Sequence, residues 1–290
     1  MSFDFVLISQ RLMLYIILRY LIRYRLKVVK ENIARSFPEK SDSEREQIVN
    51  NFYRHFVRQN LESLQFIFIT PKAIKRKFVF ENIKLLEQYA AQGRNMSAVI
   101  GHYGNWDWMA SVPLWSDKFI VGTLYKRIKN NFFNNLFLKI RSRFGVRCIE
   151  MKQALRGLVA LRKEDKPNII AYIADQNTTI KNVHYWVDFL NQPTAMQSGW
   201  TTLARKFDTV VLYLKIEPIK SGHYIARFET ITEKPDEMSD QELLNEYMRR
   251  LERDICEKPE YWLWSHKRWK HKQSIDDRVQ STDNTSKKHG

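Results

Sequence analysis

The spacing of apolar residues changes along the chain between short unbroken runs and helical periodicity. These changes predict where its strands and helices lie. Short apolar runs, typical of buried strands, lie at Ser97–Ile100, Phe119–Leu124, Val146–Ile149, Ile169–Ala174 and Val210–Ile216. Segments with helical spacing lie around and between them, at Ile83–Ala91, Phe132–Phe144, Gln153–Arg162 and Ala195–Phe207. This alternation predicts an α/β fold with a largely parallel central sheet flanked by helices. Tyr224–Ile231 is expected to add an antiparallel edge strand, and Asp240–Glu257 a final helix.

A helix formed by residues 1–30 would be apolar over most of its circumference, but it would also carry Arg11, Arg19 and Arg23. A membrane-spanning helix needs about 20 apolar residues with few charges. We therefore predict an N-terminal membrane-associated helix, either lying in the interface or forming a short tilted anchor, with its arginines reaching lipid headgroups. An ordinary amphipathic helix packed on the domain is the alternative. Residues 31–272 would then form the main domain, and the polar residues 273–290 a disordered tail.

The charge of the chain indicates an anionic partner. There are 48 Lys and Arg against 32 Asp and Glu, a formal net charge of +16. Phospholipid, an acidic carrier protein and nucleic acid all fit this excess. The segment Lys118–Arg147 holds eight basic side chains and no acidic one. We predict that it docks an acidic partner or binds phosphate, with Lys126 and Arg127 nearest the chemistry, whereas a solvated basic face is the plain alternative.

A histidine and an aspartate follow the apolar run Ser97–Ile100, as His102 and Asp107. Within one regular helix they would point about 140° apart and could not touch. Gly101 and Gly104 allow a sharp bend, which would put His102 in the turn and Asp107 on the next helix. The carboxylate could then fix one imidazole nitrogen and leave the other as a general base. The pattern is short, so taken alone it is also compatible with an ordinary surface or core histidine.

Other segments bear on the chemistry. Asp175 and Gln176 follow the strand Ile169–Ala174, at the strand end where open α/β sheets build their sites, although turns also favour such residues. Tyr261–Lys270 interleaves aromatic and basic residues, which suits a membrane interface or stacking on single-stranded nucleic acid. No serine elbow, phosphate-binding loop or metal-ligand spacing occurs. We therefore predict no cofactor and no metal.

Taken together, these segments resemble the lysophospholipid and late lipid A acyltransferases, especially the form found in Bacteroidetes-type bacteria. The residues that carry the resemblance are Asn32–Pro38, Gly101–Trp108, Tyr125–Asn130, Ala174–Gln176, Asp188–Gln192 and Pro259–Lys270. The family implies an enzyme on the cytoplasmic face of the inner membrane that moves an acyl chain from an acyl carrier protein or coenzyme A thioester to a hydroxyl of a lipid acceptor. It also implies that His102 is the general base and Asp107 its orienting partner.

We predict that the substrate is bound by residues of these segments and of the basic run: Gly104, Asn105, Tyr125, Lys126, Arg127, Asn130, Arg141, Asp175 and Gln176. The chain has Lys126-Arg127 where many relatives have Arg-Pro, so bidentate recognition by the first cation is in question. The acceptor stays open among lipid A precursors, lysolipids and aminolipids. The alternative is a nonenzymatic protein that binds membranes or nucleic acid. For the acyltransferase, we expect no nucleic-acid partner.

Overall fold

The computed structural model describes residues 3–176 and 183–272. The chain divides into two compact units. The sheet unit comprises Arg58–Ala174 and Thr202–Ser239, and the hairpin unit comprises Met1–Val57, Asp175–Thr201 and Asp240–Gly290. The predicted boundaries at residues 30 and 272 stay predictions, and the predicted tail lies outside the described residues.

The sheet unit is built on a seven-stranded sheet among the described residues. Its strands are β1 (Phe78–Phe80), β2 (Met96–Ile100), β3 (Ile120–Tyr125), β4 (Arg147–Glu150), β5 (Asn168–Ile173), β8 (Val210–Lys220) and β9 (His223–Thr232). Their order across the sheet is β1-β9-β8-β2-β5-β3-β4. The pairs β8–β2, β2–β5, β5–β3 and β3–β4 are parallel, and β9 runs antiparallel to β8. The predicted α/β fold with a largely parallel sheet is therefore confirmed.

The centre of the sheet is apolar because its strands are covered on both faces. Every residue of β2 is buried, and so are the first five of β5. Parallel strands of this kind are apolar throughout rather than alternating. Four described α-helices lie wholly within this unit: α4 (Pro71–Lys77), α5 (Ile83–Ala91), α6 (Asn131–Ser142) and α7 (Ala154–Leu161). The predicted helix Ile83–Ala91 is confirmed at both of its ends.

One expectation about the sheet is wrong. The strand predicted at Tyr224–Ile231 is antiparallel to its neighbour, as expected, but it is not the edge. The three-residue strand β1 lies outside it and pairs in parallel, with Phe78 opposite Tyr224. A strand this short carries too few alternations to be read from spacing, and only its pairing with β9 makes it visible.

The hairpin unit contains α1 (Phe3–Ile16), α2 (Leu26–Ser36), α9 (Asp240–Glu257) and the hairpin β6 (Tyr185–Phe189) and β7 (Gln192–Met196). The turn residues Leu190 and Asn191 both have positive φ, as a two-residue hairpin turn of type I′ requires. Strand β7 occupies the start of the helix predicted at Ala195–Phe207, so that helix, α8, covers only Gly199–Lys206. The long helix α3 (Asp42–Gln65) crosses the unit boundary after Val57.

The N-terminal segment has a buried arginine. Arg19 is 5% exposed, forms an ion pair with Glu46, donates to Asn50 Oδ1 at 3.1 Å, and lies 5.6 Å from the ring centre of Tyr53. The expectation that Arg19 reaches lipid headgroups is therefore wrong, because α3 supplies its partners. Within the described residues, no helix has the length and apolar character needed to cross a membrane.

Candidate functional site

The loop after β2 carries the predicted histidine and aspartate. The chain leaves β2 at Ile100, turns through residues 101–105, and enters a 3₁₀ helix at Trp106–Leu114. Of the two glycines expected to make this bend, Gly104 has a positive φ of +62°. A Cβ atom there would lie 2.9 Å from Cγ2 of Ile216, so both the backbone and the available space call for glycine. The bend predicted from the sequence is therefore made at Gly104.

His102 and Asp107 both lie half-buried on this loop. The imidazole packs edge-on against the indole of Trp106, with ring centres 5.0 Å apart. Asp107 lies in the first turn of the 3₁₀ helix, and two side chains of α3 bind its Oδ2. Ser63 Oγ donates at 2.7 Å and Gln59 Nε2 at 3.3 Å. These bonds hold the carboxylate in a set orientation, and hydrogen bonds to an ionised carboxylate are stronger than neutral ones.

A buried glutamate of α3 supports the same loop. Glu62 is 2% exposed, and its Oε2 accepts from Asn105 Nδ2 at 2.9 Å and from the Tyr224 hydroxyl at 2.8 Å. Its backbone carbonyl accepts from Trp108 Nε1 at 3.2 Å, and Arg58 lies 3.7 Å from its other oxygen. Glu62 therefore ties the loop to β9 and to α3. A buried carboxylate is expected to have such partners, since an unpaired one is costly.

The supporting residues of α3 were missed in the sequence. Gln59, Glu62 and Ser63 stand at positions i, i+3 and i+4, so they share one face of the helix. That same face carries the buried Phe66 one turn later. The face of a helix that packs on the protein interior is normally apolar. Three polar residues on that face of α3 were therefore the feature from which these supporting residues could have been predicted.

The basic residues predicted to bind substrate begin where β3 ends. Tyr125 is the last residue of β3, and Lys126 and Arg127 follow it with exposed side chains. Strand β5 lies between β2 and β3, so the carboxyl ends of β2 and β3 are about 10 Å apart along one edge of the sheet. Lys126 and Arg127 therefore lie at the same end of the sheet as the His102 loop, but they follow a strand two positions away from β2.

Two other predicted binding residues lie on α6. Asn130 caps the helix, because its Oδ1 accepts from the backbone N–H of Phe133 at 3.2 Å. This contact gives Asn130 a structural role that any helix start can require. Arg141 is half-buried in the last turn of the same helix. Substrate binding by either residue stays a prediction.

Asp175 and Gln176 belong to the hairpin unit. Asp175 is 1% exposed, and its Oδ2 accepts from Trp262 Nε1 at 2.8 Å. Burial lowers the pKa of Arg268 to about 10, and the charge of Asp175 partly offsets this shift. The observed contacts of Asp175 are thus structural, and its binding of substrate stays a prediction, as does that of the half-buried Gln176.

The aromatic segment near the C-terminus forms part of the core of the hairpin unit. Trp262 and Trp264 are buried with ring centres 4.7 Å apart, and Asn32 Nδ2 donates to the Trp264 carbonyl at 2.9 Å. Arg268 is also buried and donates to the Ala195 carbonyl at 2.9 Å. The expectation of an exposed membrane or nucleic-acid surface at these side chains is therefore wrong, because distant segments cover them.

Across residues 3–176 and 183–272, no group of three or more His, Cys, Asp or Glu side chains could hold a metal ion. The loop offers a half-buried imidazole, His102, and a carboxylate, Asp107, that two hydrogen bonds hold in place.

The fold and the loop define an α/β protein with a histidine and an aspartate at the carboxyl end of a central parallel strand. The family model of the bacterial lipid A biosynthesis acyltransferases matches residues 10–271. The chain belongs to this family, which confirms the resemblance drawn from the sequence. Lipid A biosynthesis acyltransferase 2 of Shigella flexneri is 21% identical to the chain over 131 residues, which cover 44% of this chain and 40% of that relative.

Proposed function

We propose that this chain is a membrane-associated O-acyltransferase that moves a fatty acyl chain from an acyl carrier protein or coenzyme A thioester to a hydroxyl of a lipid acceptor. The observation that carries the proposal is the loop after β2, which carries the half-buried His102 and leads to Asp107, whose carboxylate is held by Ser63 and Gln59. Membership of the acyltransferase family supports the same class of reaction.

In this mechanism His102 takes the proton from the acceptor hydroxyl as its oxygen attacks the thioester carbonyl. When the tetrahedral intermediate collapses, the C–S bond breaks and the leaving thiolate takes the proton from the imidazolium, which restores His102 as a base. Ser63 and Gln59 both bind Oδ2 of Asp107, so we assign Oδ1 as the atom that orients the imidazole. A positioned base of this kind contributes about 10²–10⁴-fold to the rate. The oxyanion requires donors, and the candidates are the backbone amides near Gly104 and the cations Lys126 and Arg127.

Family membership, rather than geometry, supports our proposals for the acceptor and the location. A lipid A precursor is the acceptor that the family name favours, and lysolipids and aminolipids are the alternatives. We propose the cytoplasmic face of the inner membrane as its location, as the resemblance to the family implies. The exposed apolar side chains of the N-terminal segment support contact with a membrane: Leu12, Met13, Ile16, Leu21 and Ile22. The nonenzymatic alternative loses support because Trp262 and Trp264 are buried.

The proposal is tested with the full chain, a thioester donor and a panel of the three acceptor classes, with products detected by mass spectrometry. His102→Ala should reduce transfer by at least 10²-fold, and Asp107→Asn should lower kcat with a modest change in KM. His223→Ala is the matched control, since it removes another half-exposed imidazole from the sheet unit. Wild-type turnover by folded His102→Ala protein would reject His102 as the base.

A further inference from the structure

The first turns of helix α6 present large apolar side chains to solvent and a polar one to the protein, whereas Ile140 near its end packs against the core. Phe132 is 71% exposed, and Phe133, Leu136 and Phe137 are also exposed. The buried residue on its first turns is Asn134, whose Oδ1 accepts from the backbone N–H of Ile128 at 3.1 Å. At 100° per residue the four apolar positions span about 140° of the helix surface. A helix of a water-soluble protein normally has the opposite arrangement.

The turn that packs on the C-terminal end of this helix carries another exposed apolar side chain. Arg143 donates from Nη1 to the Phe66 carbonyl at 2.7 Å, and the rings of Phe66 and Phe144 lie 5.2 Å apart. These contacts bring the turn after α3 against the C-terminal end of α6. This turn carries Phe68, which is 81% exposed. Large exposed apolar side chains therefore occur on both segments that meet here, and a contiguous row like that of α6 marks an interaction surface.

The charges around this surface determine which partner fits it. Eight cations and no acidic side chain lie between Lys118 and Arg147. Those beside the apolar positions are exposed, as with Lys129 before the helix and Lys139 within it. Anionic lipid headgroups attract such cations by about 1 kcal/mol each at a membrane surface. An acidic protein would match the charges too, but it would also need a groove shaped to receive a convex row of phenylalanines, whereas a bilayer needs none.

We propose that α6 lies in the interface of an anionic lipid bilayer, with Phe132, Phe133, Leu136 and Phe137 among the acyl chains and the flanking cations at the headgroups. This surface, the α6 face, is a membrane contact of the sheet unit itself and is separate in sequence from the N-terminal helix. It deepens the proposed function, because it rests on membrane association, but it does not depend on the transfer chemistry. Its consequence is that Lys126 and Arg127, which precede α6, lie close to the lipid surface.

The test places an environment-sensitive fluorophore on single cysteines of the full chain. The two free cysteines, Cys148 and Cys256, are first replaced by serine. The dye is then attached to Phe133→Cys or Phe137→Cys, and to Ile219→Cys as a matched control on β8, which is 52% exposed. Vesicles contain phosphatidylcholine alone or with 30% phosphatidylglycerol. A blue shift at positions 133 and 137 but not at 219, stronger with the anionic vesicles, is expected.

A second measurement keeps the test independent of the dye. Phe133→Ser with Phe137→Ser should reduce sedimentation with the anionic vesicles at least tenfold, about 1.4 kcal/mol, whereas Ile219→Ser should not. Sedimentation with vesicles without a blue shift at positions 133 and 137 would overturn the inference. Membrane attachment would then be assigned to the N-terminal helix. A shift produced by an acidic carrier protein alone, or by raising the protein concentration without lipid, would overturn it as well. None of these readouts requires acyl transfer. A failure of this inference can therefore be told apart from a failure of the proposed transfer reaction.

Discussion

Glu62→Ala is expected to be one of the most damaging single changes in the sheet unit. It removes the carboxylate that accepts from Asn105 at 2.9 Å and from Tyr224 at 2.8 Å, and that neutralises Arg58 at 3.7 Å. A hydrogen bond to a charged group is worth about 1.5–3 kcal/mol, so the loss of two predicts about 3–6 kcal/mol. Total stabilities are about 5–15 kcal/mol, so much of the folded state's margin would be lost.

The measurement is urea unfolding followed by far-ultraviolet circular dichroism, together with the thermal midpoint. At about 2–4 °C per kcal/mol, the midpoint should fall by on the order of 10 °C. Glu62→Gln is the control, because it keeps an acceptor oxygen and the side-chain volume but loses the charge toward Arg58. We expect it to cost about 1–2 kcal/mol and to retain more transfer activity than Glu62→Ala at a temperature where both variants are folded.

This reasoning would be refuted by a Glu62→Ala protein whose unfolding free energy lies within about 1 kcal/mol of wild type. It would also be refuted if Glu62→Gln were as damaging as Glu62→Ala, since the two acceptor bonds would then not carry the effect.

Three further predictions concern the loop, the hairpin unit and a buried hydroxyl. Gly104→Ala should destabilise the protein more than Gly93→Ala, since both residues have positive φ but only at Gly104 would the added Cβ meet another atom, at 2.9 Å; equal losses in urea unfolding would contradict this. Asp175→Ala should cost about 1–3 kcal/mol because the buried Trp262 N–H loses its acceptor, and a raised KM with unchanged stability would instead assign Asp175 to substrate binding. Burial raises the pKa of Tyr53 to about 12, above the unfolded value of about 10, so its stabilising contribution is full below pH 10 and lost as pH rises from 10 to 12. Burial also raises the pKa of Tyr172 to about 12. The Tyr53→Phe variant should therefore keep a step in tyrosinate absorbance near pH 12, but one smaller than in the wild type. A smaller step near pH 10 instead would show that the Tyr53 hydroxyl is not shielded.

The spacing of apolar residues was enough to predict most of the alternating strands and helices of the sheet unit, although not the short β1 and α4. The helices at Ile83–Ala91 and Asp240–Glu257 begin and end where the sequence indicates, and the fully buried β2 follows from its unbroken apolar run. The bend that carries His102 was also predictable, because Gly104 marks a backbone conformation that other residues rarely adopt. Each of these features depends on residues that are close together in the chain.

Tertiary structure alone decided which side chains support the loop and which faces are covered. Glu62 and Ser63 contact Asn105 and Asp107 across more than forty positions of sequence. The tryptophans near the C-terminus became core because Asn32 and the hairpin lie against them, whereas the phenylalanines of α6 stayed outside. Local spacing tells which residues are apolar, but burial depends on what distant segments bring to each face.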